Sequence, residues 1–282
     1  VSHPVPPDHA WIDWGGDGPV LHFAHANGFP AGSYASLIAR LTGSFRVLSM
    51  EARPLWSDAA PEGLRTWFEL ADDLAAGFES RRLRRVVGVG HSLGGVITAL
   101  AAARQSELFS ALILIDPVIF TWPRSSVWRW LKIGGQAHRF PLVRGARERR
   151  VRWPDRESVR ASYRTKTTFR SWTEECLGDY LTAGLVADGE GGVRLRYPRE
   201  WEARIFEICP ADLWRFLRRI RIPVLFIRGE RSETFLLGAA NRAIREMNRA
   251  TVIEVPATSH FLPWEAPDAT ADEIRRFAAE AY

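Results

Sequence analysis

Five residues, Gly90-His91-Ser92-Leu93-Gly94, form a G-x-S-x-G pattern, the arrangement of a nucleophile elbow. A sharp strand-to-helix turn brings backbone so close to the serine that flanking side chains clash, and glycine is what fits. Such a turn lifts the Ser92 hydroxyl clear of the main chain and sets it at the positive end of the following helix. The context has the required order. An apolar run over residues 85–89 leads in, and Gly95-Val96-Ile97-Thr98-Ala99-Leu100 leads out with helical character. In isolation the same pentamer also suits a glycine-rich turn without catalysis.

A serine hydroxyl is a poor nucleophile until a base takes its proton, and histidine is the usual base near neutral pH. Of the seven histidines, His3 and His9 lie in the N-terminal segment, His138 in a basic stretch, and His22 and His25 on an early apolar run. His91 is inside the elbow and reads as a structural neighbour. His260 follows the last apolar run, where a loop at the sheet's end can reach Ser92, and is the expected base. A tetrahedral intermediate also needs two donors aimed at its oxyanion. The Leu93 amide is one. The second is expected from the glycine turn at Asn27-Gly28-Phe29-Pro30, through the Phe29 amide, although Asn27-Gly28 reads equally well as an ordinary tight turn.

These pieces need a scaffold. Short apolar runs at 20–25, 45–50, 85–90, 112–116, 224–228 and 251–255 read as buried strands. Helical patterns at 34–41, 64–79, 96–104, 237–247 and 269–281 lie between and after them. Strand alternating with helix predicts an α/β fold with a mostly parallel sheet covered on both faces. The rhythm breaks after Asp116-Pro117 and resumes at Ile222-Pro223. Residues 119–217 carry no strong strand pattern, hold seven of the twelve tryptophans, and contain 19 basic against 12 acidic side chains. A helical subdomain inserted into one α/β domain is the economical reading. Most of its tryptophans are expected in its own core, with two or three facing a substrate pocket.

Composition excludes several classes. Apolar residues at 46% and charged residues at 25% are those of a globular chain. No apolar run is long enough to span a bilayer. The net charge of +5 comes from 36 arginines and two lysines, Lys132 and Lys166. That bias resembles GC-rich codon usage, and no nucleic-acid recognition motif accompanies it. Cys176 and Cys209 have no metal-ligand spacing and fit a reducing compartment most simply, with a single bridge in an exported protein as the alternative. The chain opens at Val1 rather than methionine, which leaves a removed leader or tag open.

Together the motifs resemble the α/β-hydrolase superfamily, especially its capped bacterial members of the esterase, epoxide-hydrolase and proline-iminopeptidase type, over essentially the whole chain. The resemblance rests on Ala26-Asn27-Gly28-Phe29-Pro30, similar to the family's H-G-F-P turn with asparagine for histidine. It rests also on the elbow, on Leu114-Ile115-Asp116-Pro117, and on Ser259-His260-Phe261. It implies a core domain at 1–118 and 218–282, and a helical cap at 119–217 inserted after the sixth strand. It further implies a triad acid after the seventh strand, an aspartate three residues beyond a glycine. Here that position holds Ser232, so Glu233, directly after it, is the first choice. Asp116, at the end of the sixth strand, is the second, its structural alternative being a turn before Pro117. Glu230 is the third. Residues 50–56 lack the glycine-rich pattern many relatives show. Serine rather than aspartate at position 92 excludes an epoxide hydrolase or haloalkane dehalogenase.

The expected activity is hydrolysis of a carboxylic ester, lactone or thioester through an acyl-enzyme, without cofactor or metal. The alternatives are a lyase or carbon–carbon-bond hydrolase on the same fold, and a non-catalytic ligand receptor. A small-molecule ester is the expected partner, with no nucleic acid and no membrane, in a cytoplasmic monomer or homodimer. The basic insertion, densest at residues 144–152, would favour anionic substrates if its arginines face the entrance.

Overall fold

The computed structural model describes residues 4–281; His3 lies outside them. A seven-stranded sheet forms the centre, in the order β1-β3-β2-β4-β5-β9-β10. Its first five strands are β1 (Trp11–Gly15), β2 (Val20–Ala24), β3 (Arg46–Met50), β4 (Val86–His91) and β5 (Phe109–Ile115). Helix α1 (Ala35–Ala39) joins β2 to β3, α2 (Trp67–Ser80) joins β3 to β4, and α3 (Leu93–Arg104) joins β4 to β5. The Glu69 side chain accepts the Thr66 amide, a capping contact that fixes where α2 begins.

After β5 the chain leaves the sheet. It builds α4 (Trp122–Ile133), α5 (Pro141–Glu148), β6 (Arg152–Trp153), α6 (Arg156–Arg164), α7 (Thr167–Arg170), α8 (Glu174–Ala183), β7 (Leu185–Ala187), β8 (Val193–Leu195), α9 (Arg199–Glu207) and α10 (Trp214–Leu217). It returns through β9 (Val224–Gly229), α11 (Leu237–Glu246), β10 (Ala250–Val255), α12 (Leu262–Glu265) and α13 (Pro267–Ala281).

Only β1 runs antiparallel, against β3; the other neighbours in the sheet are parallel. Alternation along β5 feeds two apolar layers. Leu112 and Leu114 join the layer of α2 and α3, with Trp67, Leu70, Val96 and Leu100. Ala111, Ile113 and Ile115 join the layer of α1 and α13, with Leu37, Ile38, Ile274 and Phe277. Strands buried on both faces are why these segments read as continuous apolar runs.

Two expectations need correction. The insertion follows the fifth strand of the chain rather than the sixth, because seven strands, not eight, make the sheet among the described residues. It is also not purely helical: β6, β8 and β7 form a small antiparallel sheet. Those strands are two or three residues long, too short to leave a period-2 pattern. Strand β1 went unread for a related reason. It lies at the sheet's edge, and its Asp13 and Gly15 are exposed, breaking the apolar run.

Candidate functional site

The sheet register brings the chemistry together. His91 of β4 pairs with Ile115 of β5, and Ile115 pairs with Ile227 of β9, so these strands end level at their carboxyl ends. Ser92 follows β4, Asp116 follows β5 and Ser232 lies just past β9. His260 arrives on the loop between β10 and α12. Carboxyl strand ends are where parallel α/β sheets place ligand chemistry.

Ser92 adopts φ +54° and ψ −114°, a conformation that L-residues rarely hold. Its amide donates to the Ile115 carbonyl at 2.9 Å, locking the turn to the neighbouring strand. A Cβ on Gly90 would lie 2.4 Å from the Gly94 carbonyl carbon, and one on Gly94 would lie 2.1 Å from the Ala24 carbonyl oxygen. No side chain fits at either position, so the two glycines of the pentamer are steric necessities of the turn.

His260 Nε2 is 3.1 Å from Ser92 Oγ, and His260 Nδ1 is 2.6 Å from Asp116 Oδ2. The carboxylate only accepts, so Nδ1 carries the proton and Nε2 is free to accept from the serine. Asp116 is fully buried at φ +42°. Its Oδ2 also accepts the Ser232 hydroxyl at 2.6 Å, while Oδ1 is buried with no hydrogen-bond partner.

Glu233, the sequence's first choice for the acid, is not at the imidazole. It is exposed, and its backbone carbonyl accepts from Arg124. Glu230 is exposed too and accepts the Ala257 amide. The reason is local. The Ser232 hydroxyl receives the Thr234 and Phe235 amides, Phe235 is buried, and Arg228 Nε donates to the Phe235 carbonyl. That tight turn points Ser232 inward and Glu233 outward. Ser232 therefore donates to Asp116 from the position where the resemblance implied the acid.

A second set of contacts holds the His260 loop; His91 read as a structural neighbour from its place in the elbow, whereas Tyr34 carried no such signal. The Ala26 amide donates to the Tyr34 hydroxyl at 3.1 Å, and that hydroxyl lies 2.8 Å from His91 Nδ1. His91 Nε2 lies 2.9 Å from the His260 carbonyl, which can only accept, so Nε2 bears the proton and Nδ1 accepts from Tyr34. One chain of hydrogen bonds thus joins the Asn27-Gly28 turn, the elbow and the histidine loop.

The glycine turn is tied to the insertion. Gly28 has φ +84°, and Asn27 donates to the Glu202 carbonyl and accepts the Tyr197 hydroxyl, both at 2.9 Å. Glu202 pairs with Arg149 at 2.8 Å, and Arg149 also reaches the Tyr163 and Tyr180 hydroxyls. Desolvation acts to lower the half-buried Arg149 guanidinium, but the Tyr180, Glu202 and Tyr163 partners outweigh it and hold it well above its ordinary range. Arg149 belongs to the densest arginine cluster, yet it is structural. Beside it Arg147 pairs with Glu207, and Arg152 with Glu190. Glu51, at the end of β3, makes a second, two-pronged tie to Arg196.

The Phe29 amide sits 3.3 Å from the Ala26 carbonyl, a long turn contact. Its ring lies 4.7 Å from Trp264 and 5.5 Å from Tyr180. Leu93 opens α3, so its amide has no acceptor within the helix. Of the insertion's tryptophans, Trp128, Trp153, Trp172, Trp201 and Trp214 are buried, while Trp122 and Trp130 face solvent. Among the described residues no histidine, cysteine and carboxylate cluster could hold a metal ion. Cys176 and Cys209 are free and buried, and burial pushes their thiols up to about 11 and about 12.

Three other histidines are buried neutral. Desolvation lowers His22 to about 3, lowers His25, and holds His91 well below its ordinary value. His22 Nε2 accepts the Met50 amide and His25 Nε2 the Ala52 amide. The unfolded chain protonates all three near pH ~6.5. Below that pH the unfolded state binds more protons than the fold, so stability falls as pH drops toward the folded values. The urea midpoint is expected to decrease steadily from about pH 7 to about pH 4, with proton uptake on unfolding. A midpoint constant over that interval would contradict the assignment of neutral buried rings.

A family model described as "Alpha/beta hydrolase family" matches residues 23–273. The chain belongs to this family. A 2-(acetamidomethylene)succinate hydrolase of Mesorhizobium japonicum is 23% identical over 265 residues, covering 93% of this chain and 88% of that protein. The crystal structure of E-2-(acetamidomethylene)succinate hydrolase superposes with a TM-score of 0.76 at 21% identity, covering 95% of this chain and 94% of the other. An enol-lactonase from Burkholderia xenovorans superposes at 0.69 with 20% identity, covering 95% of each chain. At these identities the solved structures attest the fold. Family membership makes the chain a member of a hydrolase family, and no helix among the described residues is long and apolar enough to cross a membrane.

Proposed function

We propose that this α/β hydrolase is a serine hydrolase that cleaves a carboxylic ester, lactone or thioester through an acyl-enzyme, with Ser92, His260 and Asp116 as its triad. One observation carries the reading: the continuous Ser92–His260–Asp116 hydrogen-bonded path at a strained elbow. As His260 Nε2 takes the hydroxyl proton, Ser92 Oγ attacks the carbonyl carbon. Asp116 stabilises the imidazolium without itself being protonated. The Leu93 and Phe29 amides receive the oxyanion. The Phe29 amide's 3.3 Å contact to a neutral carbonyl is weaker than a bond to a developing anion, which displaces it. His260 then returns its proton to the leaving oxygen or sulfur. Water, deprotonated by the same Nε2, attacks the acyl carbon and releases the acid and Ser92.

Residues 119–217 act as a cap over this site, and their ties to Asn27 and Glu51 support that role. The relatives named as hydrolase and lactonase are consistent with acyl chemistry.

The test is rapid mixing with p-nitrophenyl acetate. An initial burst approaching one nitrophenolate per chain, followed by slower turnover, is the expected result, because acylation precedes deacylation on one serine. Turnover of activated esters with no burst and no trapped acyl-serine would remove the acyl-enzyme and favour direct attack by water or a lyase.

A further inference from the structure

Helix α4 turns an apolar face to solvent. Trp122, Trp130 and Ile133 are 74%, 75% and 73% exposed, and Val127 is exposed beside them. Trp122, Ser126, Trp130 and Ile133 recur at helical spacing and form one stripe, while Ser125 and Trp128 are the buried side. Leu142 of α5 is exposed as well. Indole rings standing in water at two turns of one helix have no role in the insertion's own packing, since that core is supplied by Trp128, Trp201 and Trp214.

The surroundings select what covers this face. Residues 117–147 contain six cationic side chains, Arg124, Arg129, Lys132, Arg139, Arg144 and Arg147, and no acidic residue. Arg147 pairs with Glu207, and Arg124 and Lys132 donate to the carbonyls of Glu233, Ile208 and Cys209, whereas Arg129, Arg139 and Arg144 are exposed and without an ion pair among the described residues. A second copy of the chain docked on the same face would bring two sets of these cations together, which repel. An anionic surface complements them. Tryptophan is the side chain that prefers the boundary between water and acyl chains, with cations at the headgroup level.

We propose that α4 is an interfacial helix that docks this protein on an anionic phospholipid surface, its tryptophans entering the headgroup layer and its cations pairing with lipid phosphates. This replaces the sequence-based expectation of no membrane partner with surface attachment rather than spanning. The start of α4 lies beside the segment that follows β9: Arg124 donates to the Glu233 carbonyl, and the Thr121 methyl lies near Gly238 of α11.

The experiment is co-sedimentation of the full chain with vesicles of phosphatidylcholine alone and of phosphatidylcholine mixed with phosphatidylglycerol. Binding to the mixed vesicles only, decreasing with salt, is the expected result. Joint Trp122→Ser and Trp130→Ser substitution is expected to weaken partitioning at least ~10-fold. Arg129→Gln and Arg144→Gln are each expected to weaken it about fivefold. All four changes are at exposed positions, so circular dichroism and Tm are expected to stay at parent values. Three results overturn the proposal: no binding to either vesicle, binding that the tryptophan double variant leaves unchanged, or a solution dimer that the double variant dissociates. The last would assign the face to a second copy.

Discussion

Ser92→Ala is expected to lower kcat for p-nitrophenyl esters by about 10⁴–10⁶-fold, the scale of measured losses when a serine-triad nucleophile is deleted. The fold is expected to survive. Alanine keeps the Cβ that the φ +54° backbone already accommodates, and the Ser92 amide keeps its bond to Ile115. A fluorophosphonate is expected to label the parent at Ser92 and leave the variant unlabelled, read by peptide mass spectrometry. Labelling at a different serine, or parental turnover in a folded variant, would discard the mechanism.

Asp116→Asn is expected to lower kcat by about 10⁴-fold while leaving KM close to the parent value. An asparagine amide has the same shape but can present a donor to Nδ1, favouring the imidazole tautomer whose Nε2 carries the proton and cannot take one from Ser92. Because Asp116 is fully buried, no solvent rearrangement replaces the lost charge. Glu233→Gln, by contrast, alters an exposed side chain and is expected to change kcat by about threefold or less. Comparable losses in the two variants, or a larger loss at Glu233, would move the acid to the loop after β9.

The two ties between the glycine turn and the insertion bear on how the site is held. Glu202 lies against Gly28, where an added Cβ would come within 2.8 Å of its carboxylate oxygen. Under the proposed mechanism, a bare carboxylate there would oppose negative charge developing on an oxyanion beside Phe29. Arg149 neutralises it at 2.8 Å. Arg149, read from the sequence only as part of a basic cluster, instead neutralises a carboxylate beside the turn, because its place between two tyrosines and a glutamate is a property of packing and leaves no mark in local sequence.

The α/β alternation, the insertion, the glycine-flanked turn at Ser92 and the position of His260 on a loop past the last strand were all legible in the sequence. Each is a local signal. Apolar periodicity fixes strands and helices, and glycines at 90 and 94 record a backbone approach that no side chain survives. Which of Asp116 and Glu233 meets His260 depended on tertiary structure, since both follow strands whose ends become neighbours only when β5 and β9 pair in register. The decision came from which way a four-residue turn faces, set by the Ser232 hydroxyl and the buried Phe235 ring. Packing likewise joined Tyr34 to His91 and His91 to the His260 carbonyl, residues 57 and 169 positions apart. It also turned Trp122 and Trp130 outward and Trp128 inward on one helix. Side-chain identity there was the same throughout, and only the direction of each Cα–Cβ bond relative to the core separated buried indole from exposed.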